Sequence, residues 1–245
     1  MRTNRNGLRA LVLAIVVISI ASVASLAVGA PPDSSQSRNA ESSSDHRGQP
    51  DTVLLEIRGA EVERVTRGDV VDRLVASPNT ENRREAERLV DDELICAATL
   101  TSMINEQVVK VGSERLGVQV TEQHRQNAGR HIQNASAESD LDEAAAMIGM
   151  ASAELVELGA MVEAVRSALP GSEWDIYADE AAKYPGLETV DLAQGAFFAD
   201  VARSLDIWVH PSVGRWSDEV VQVLPKGVSA ADLLESSDGE EAEGR

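Results

Sequence analysis

The sequence predicts a mainly α-helical domain that also contains a small β-hairpin. Apolar residues recur at spacings of three and four along several segments, which is the pattern of helices with one buried face. Hydrophobic residues make up 43% of the 245-residue chain, whereas aromatic residues make up only 3%. We therefore expect an aliphatic, alanine-rich core, which is typical of packed helices.

The hairpin is predicted at the start of the foldable region. Residues 53–57 form a strand-like run, Arg-Gly at 58–59 is a turn signal, and residues 61–65 alternate polar and apolar side chains with a period of two. Thr66 follows with a side-chain oxygen that can cap the first helix. We expect that helix to end at Pro78-Asn79.

The longest predicted helix covers about residues 81–116 and is expected to end at Gly117. Its apolar stripe consists of Leu94, Ile95, Ala98, Thr101, Ile104, Val108 and Val111. Further helices are predicted over about 121–137, 140–149, 152–169 and 191–204. A strand-like run at 207–209 precedes His210-Pro211, which is expected to stop it.

The N-terminal residues predict export. Arg2, Arg5 and Arg9 precede an uncharged apolar run over residues 10–30. Cationic residues before an apolar run are typical of a signal sequence and favour retention of its start in the cytoplasm. Its strongest apolar stretch, residues 11–20, has the length of the apolar core of a cleaved signal peptide. The whole run, however, is near the roughly 20 residues that span a bilayer. The protein is therefore expected to be extracytoplasmic, either secreted or anchored to the cytoplasmic membrane by residues 10–30.

Composition divides the rest of the chain. Residues 31–50 are rich in Ser, Pro, Asn and Gln and are predicted to be a flexible linker. Residues 51–228 form the predicted folded domain, and residues 229–245 a disordered acidic tail. The formal net charge is -19. Since such a surface repels phosphate backbones, nucleic acid is not an expected partner.

The sequence motifs do not predict an enzyme. His124 and His131 lie seven residues apart, about 10 Å along a helix, too far to share one metal ion directly. We interpret both as surface or partner-facing residues. The chain has no Gly-x-Ser-x-Gly motif and no glycine-rich phosphate loop. Cys96 is interpreted as a small core residue. We expect no catalytic residue, no metal and no cofactor.

Flexible and bulky apolar residues are the candidates for binding polypeptide. Methionine is unbranched and polarizable, so it suits surfaces that accept varied apolar segments. The candidate polypeptide-binding residues are Met103, Met147, Met150, Met161 and Phe198. A core position is an equally open alternative for the methionines. Among the other aromatic residues, we assign Trp208 and Phe197 to the core.

Four motifs occur in an order that resembles one known family. VTRGDVVDRLV (65–75) follows a strand and a glycine turn. It is followed by MINEQVVKVGSERLGVQVTEQH (103–124), IGMASAELVELGAMVEAV (148–165) and VHPSVGRW (209–216). Together they resemble the N-terminal chaperone domain of SurA-like and PrsA-like exported foldases, over about residues 53–218. The usual Asn before the hairpin glycine is replaced by Arg58.

The resemblance implies a multi-helix chaperone domain in which strands of the N- and C-terminal segments pair. It further implies an apolar cleft that holds unfolded or secreted polypeptide clients in the cell envelope. Larger members carry a parvulin prolyl isomerase domain, but only about 40 residues separate Leu169 from Val209 here. We therefore expect a one-domain, non-catalytic form. The alternatives are an envelope scaffold protein with one specific partner and a reduced peptidyl-prolyl isomerase.

Overall fold

The central element of the fold is a 24-residue helix, α3, which contacts elements from both halves of the chain. The computed structural model describes residues 49–59, 62–76, 80–135, 150–169 and 189–230. The helices are α1 (Arg67–Val75), α2 (Arg83–Val90), α3 (Glu93–Leu116), α4 (Glu122–Ala135), α5 (Ser152–Ala168) and α6 (Thr189–Arg203). The strands are β1 (Val53–Arg58), β2 (Val62–Thr66), β3 (Asp206–Val209), β4 (Gly214–Ser217) and β5 (Gln222–Pro225). Helices account for 60% of the described residues, which confirms the mainly α prediction.

Three strands form an antiparallel sheet in the order β2-β1-β3. The predicted hairpin is present as β1 and β2. In the central strand, Leu55 lies opposite Val65 and Val209, and the next residue, Glu56, lies opposite Trp208. Leu55, Val65 and Val209 are buried, so this row faces the helices. Because successive strand residues point to opposite faces, the row through Glu56 faces outward.

Thr66 begins α1 in the predicted way. Its hydroxyl accepts from the backbone N–H of Asp69, and the Asp69 carboxylate accepts from the backbone N–H of Thr66 at 2.7 Å. This reciprocal pair is a capping box, which satisfies donors that the first helical turn leaves unpaired. Val70 and Val71 then bury one face of α1.

The prediction of one helix over 81–116 was wrong, because the chain breaks at Asp91-Asp92 into α2 and α3. Asp92 has an extended backbone, and its carboxylate accepts from the N–H groups of Leu94 at 2.9 Å and Ile95 at 3.2 Å. An aspartate that bonds to nearby backbone groups starts a new helix more readily than it continues an old one. Asn82 caps α2 by accepting from the Glu85 N–H.

The predicted end of α3 and start of α4 are confirmed. Gly117 adopts a left-handed backbone with φ of 61°, which terminates α3 without the penalty that a Cβ would carry. The Thr121 hydroxyl accepts from the His124 N–H at 3.3 Å and caps α4. These two local signals set the connection between the helices.

The second hairpin, β4–β5, was not predicted from the sequence. It packs against α3, where the Thr101 hydroxyl accepts from the Val223 N–H at 2.9 Å and donates to the Ala97 carbonyl at 2.9 Å. Val221, in the turn before β5, has a φ of 51°, an uncommon conformation for a β-branched residue. The strands are four residues long, and their position depends on a contact 122 residues away along the chain.

Several sequence predictions lie outside the described residues. They are the export segment, most of the linker, the helix at 140–149, the break at Pro78-Asn79, and nearly all of the acidic tail. Within the described ranges, no helix combines the length and the apolar composition needed to cross a bilayer.

Candidate polypeptide-binding surface

The predicted polypeptide-binding residues lie in or against one hydrophobic core. Phe198 has no exposed surface, and Met150 is buried with 8% exposed. Met103 and Met161 are partly buried and pack against the same cluster. Met147 lies outside the described residues. In this conformation the four described residues therefore contribute packing, and other side chains supply the exposed apolar surface.

Two of the aromatic assignments had different outcomes. Phe197 packs against the core, as predicted, with its ring 5.5 Å from that of Phe198. The assignment of Trp208 to the core was wrong, because its side chain is 40% exposed. Trp208 occupies the outward row of β3, on the same face as Asp206, whereas Val209 faces the helices and is buried. The alternation in Asp-Ile-Trp-Val already carries this signal.

A network of ion pairs covers the middle of the outer sheet face. The Glu56 carboxylate accepts from Arg58 at 2.7 Å and from Arg64 at 2.8 Å. Arg58 also donates to Asp206 at 3.2 Å. The hydrogen bonds from Arg58 and Arg64 lower the pKa of Glu56. The apolar side chains exposed on this face, Trp208 and Val62, therefore flank a charged centre.

Within the described part of the chain, one edge of the β3 backbone is not paired with another strand. The His210 N–H donates to the Leu54 carbonyl at 2.8 Å, directly beyond the paired residues Leu55 and Val209. Since antiparallel strands alternate the direction of their polar groups, those of Ile207 and Val209 point away from β1. Among the described strands β3 pairs only with β1. The N–H and C=O groups of these two residues are thus directed to the side of β3 opposite β1.

Trp208 lies between these two residues, and its ring meets the His210 ring edge-on at 5.8 Å between centroids. This contact limits the motion of an indole that is otherwise partly exposed to solvent. A held, half-exposed tryptophan beside directed backbone groups forms the candidate binding surface. We call it the β3 edge, made of residues 207–210.

The two histidines that the sequence singled out have hydrogen-bond partners, and Cys96 is a buried free cysteine. His131 Nδ1 lies 2.9 Å from Glu163 and links α4 to α5, and His124 accepts from the Thr121 N–H at 3.2 Å. Burial raises the pKa of the Cys96 thiol to about 12, so it is protonated at neutral pH. The described residues contain no group of three or more His, Cys, Asp or Glu arranged to hold a metal.

No protein family, curated protein or solved structure matches this chain. The resemblance to exported foldases is therefore carried by the four sequence motifs alone.

Proposed function

We propose that this protein is an exported, non-catalytic chaperone that binds extended segments of unfolded or unassembled polypeptides in the cell envelope. The β3 edge supports this proposal most directly, because it combines outward-directed backbone groups with the half-exposed Trp208. An extended client segment would add to the sheet next to β3.

Strand addition suits a chaperone because it is insensitive to the client's sequence. Main-chain hydrogen bonds form with any extended segment, and side-chain contacts add apolar attraction. Burying apolar surface on Trp208 contributes about 25 cal/mol per Å². The net charge of -19 keeps complexes apart in solution and opposes self-association. Because ion pairs cover the middle of the outer sheet face, apolar contacts with a client would come from the flanking side chains, Trp208 and Val62.

The sequence supports export and binding without catalysis. The arginines and apolar run of residues 1–30 are typical of an export signal. The short interval between α5 and β3 leaves too little chain for the parvulin domain of the larger foldases that this sequence resembles.

The experiment that tests the proposal is aggregation of two unrelated unfolded proteins, followed by light scattering with and without an equal concentration of the full chain. We expect suppression of both. Trp208→Glu should abolish suppression, because it replaces the exposed indole with a charge that repels apolar segments. Circular dichroism would show that the variant keeps its fold, since the side chain is 40% exposed.

Leu94→Glu is the matched control. Leu94 is 67% exposed in the first turn of α3, so this change removes an exposed apolar side chain and adds the same charge elsewhere. It should leave suppression intact. Suppression of neither client by the wild type would overturn the chaperone proposal. Equal loss of suppression in the two variants, or full suppression by both, would overturn the role of the β3 edge.

A further inference from the structure

A groove of about 450 Å³ between α1 and α2 has a lining of net positive charge, opposite in sign to the net charge of the whole chain. Its charged lining consists of Arg67, Arg83, Arg84, Arg88, Glu87 and Asp91. Four guanidinium groups thus face two carboxylates, in a chain whose formal net charge is -19. A volume of this size is within the range of small-ligand sites. The groove therefore concentrates positive charge where the chain as a whole has an excess of acids.

The innermost arginine is held in place by bonds from one terminal nitrogen, and at least one of its other donors is unused. Arg67 is only 9% exposed. One of its terminal nitrogens donates to the Glu87 carbonyl at 2.9 Å and to the Asp91 carboxylate at 3.1 Å. Its Nε–H is buried and has no acceptor among the described residues. Leaving a buried charged donor unsatisfied is costly, so an acceptor from outside the described chain is expected.

The arginines on the rim differ in how far they are neutralised. Arg83 pairs with Asp72 at 2.7 Å and lies 3.7 Å from Glu87. Arg84 and Arg88 are exposed and, within the described residues, form no ion pair. They lie four residues apart and therefore project from neighbouring turns of one face of α2. Two exposed cations on the rim thus accompany one buried cation, Arg67, in the lining of the groove.

This arrangement matches the chemistry of an oxyanion. A guanidinium presents several N–H donors in a planar fork, which fits the paired oxygens of a carboxylate or a phosphate. Arg67 has the low entropy of a side chain already fixed, so it can anchor the ligand, and Arg84 and Arg88 can close on it. Because the chain as a whole carries a formal net charge of -19, long-range attraction of an anion is weak and binding depends on these short-range contacts.

We propose that the groove between α1 and α2 binds a compact oxyanion, a phosphate or carboxylate group, anchored by Arg67 and enclosed by Arg84 and Arg88. This site is independent of the β3 edge and of the chaperone proposal. The probes are pyrophosphate and citrate, which carry the two kinds of oxyanion. Each would be titrated calorimetrically into the full chain at low ionic strength.

We expect at least one probe to bind, and the double variant Arg84→Gln, Arg88→Gln to weaken its affinity about tenfold or more. The matched control is Arg130→Gln, Arg215→Gln, which removes two other exposed arginines outside the groove and should leave affinity unchanged. Binding of pyrophosphate alone would identify a phosphate site, and of citrate alone a carboxylate site. Binding of neither probe, or equal weakening in the two double variants, would overturn the proposal.

Discussion

The contact between α1 and α2 includes an ion pair near solvent, whereas α3 and α6 meet where a glycine lies against two aromatic rings. Arg83 and Asp72 join α1 to α2 with side chains 58% and 64% exposed. In contrast, Gly112 of α3 lies directly against the rings of Phe197 and Phe198 on α6. An exposed ion pair contributes about 0–1 kcal/mol, and close-packed cores are sensitive to single methyl groups. Substitutions where α3 packs against α6 should therefore change the free energy of unfolding more than substitutions of the exposed arginines of α2.

The largest expected effect on stability comes from removing the buried ring of Phe198 from the core. Phe198→Ala should lower the free energy of unfolding by about 3–5 kcal/mol, because it removes a fully buried ring and leaves a cavity. Phe197→Ala is the control, and it should cost less since that ring is only partly buried. Urea denaturation of both variants measures the difference. An equal or larger loss for Phe197→Ala would contradict this account of the core.

A smaller effect distinguishes two helical glycines. A Cβ at Gly112 would lie 3.0 Å from a Phe198 ring carbon and 3.1 Å from a Phe197 ring carbon. Gly112→Ala should therefore destabilise the protein by about 1–3 kcal/mol. An added Cβ at Gly129 in α4 would have no atom within 4 Å. Gly129→Ala should therefore stabilise the protein by about 0.5–1 kcal/mol through helix propensity. Thermal unfolding gives both signs, and unchanged or increased stability of Gly112→Ala would contradict the close packing of α3 against α6.

The smallest effect concerns two carboxylates with opposite pKa shifts. Burial raises the pKa of Glu106, which pairs with Arg73 between α3 and α1, whereas arginine hydrogen bonds lower that of Glu56. Between pH 4.5 and its folded pKa, Glu106 binds more protons in the folded state. Its contribution to stability therefore falls as pH rises through that window, by at most about 1.4 kcal/mol per pH unit. The contribution of Glu56 is present above the unfolded pKa and is lost as pH falls through its folded pKa.

Glu106→Gln and Glu56→Gln test this contrast directly. Subtracting each variant's stability from that of the wild type, over a series of pH values, isolates the titration of one group. The difference for Glu106 should decrease with rising pH, and the difference for Glu56 should increase. Slopes of the same sign for the two variants would show that burial does not dominate at Glu106.

The sequence alone determined those features that depend on neighbouring residues. The capping box of Thr66 and Asp69, the left-handed Gly117 and the alternation of the first hairpin are set within a few residues, so local rules predict them. The prediction of a single helix over 81–116 was wrong for a reason that is also local. Asp92 can either continue a helix or cap one, and its side-chain hydrogen bonds to the backbone decide for the cap.

Only the tertiary structure decided which side chains are available for binding. Composition could not separate buried Phe198 from half-exposed Trp208, because exposure depends on which elements cover each position. The burial of Arg67 likewise depends on α2, which begins sixteen residues later in the chain. Hydrophobic burial is non-directional, so any element that covers an apolar side chain stabilises the fold. The alternation over residues 206–209 predicts that Asp206 and Trp208 share a face, but only the packing of distant elements decides which face is covered. The arginine groove likewise depends on contacts between α1 and α2.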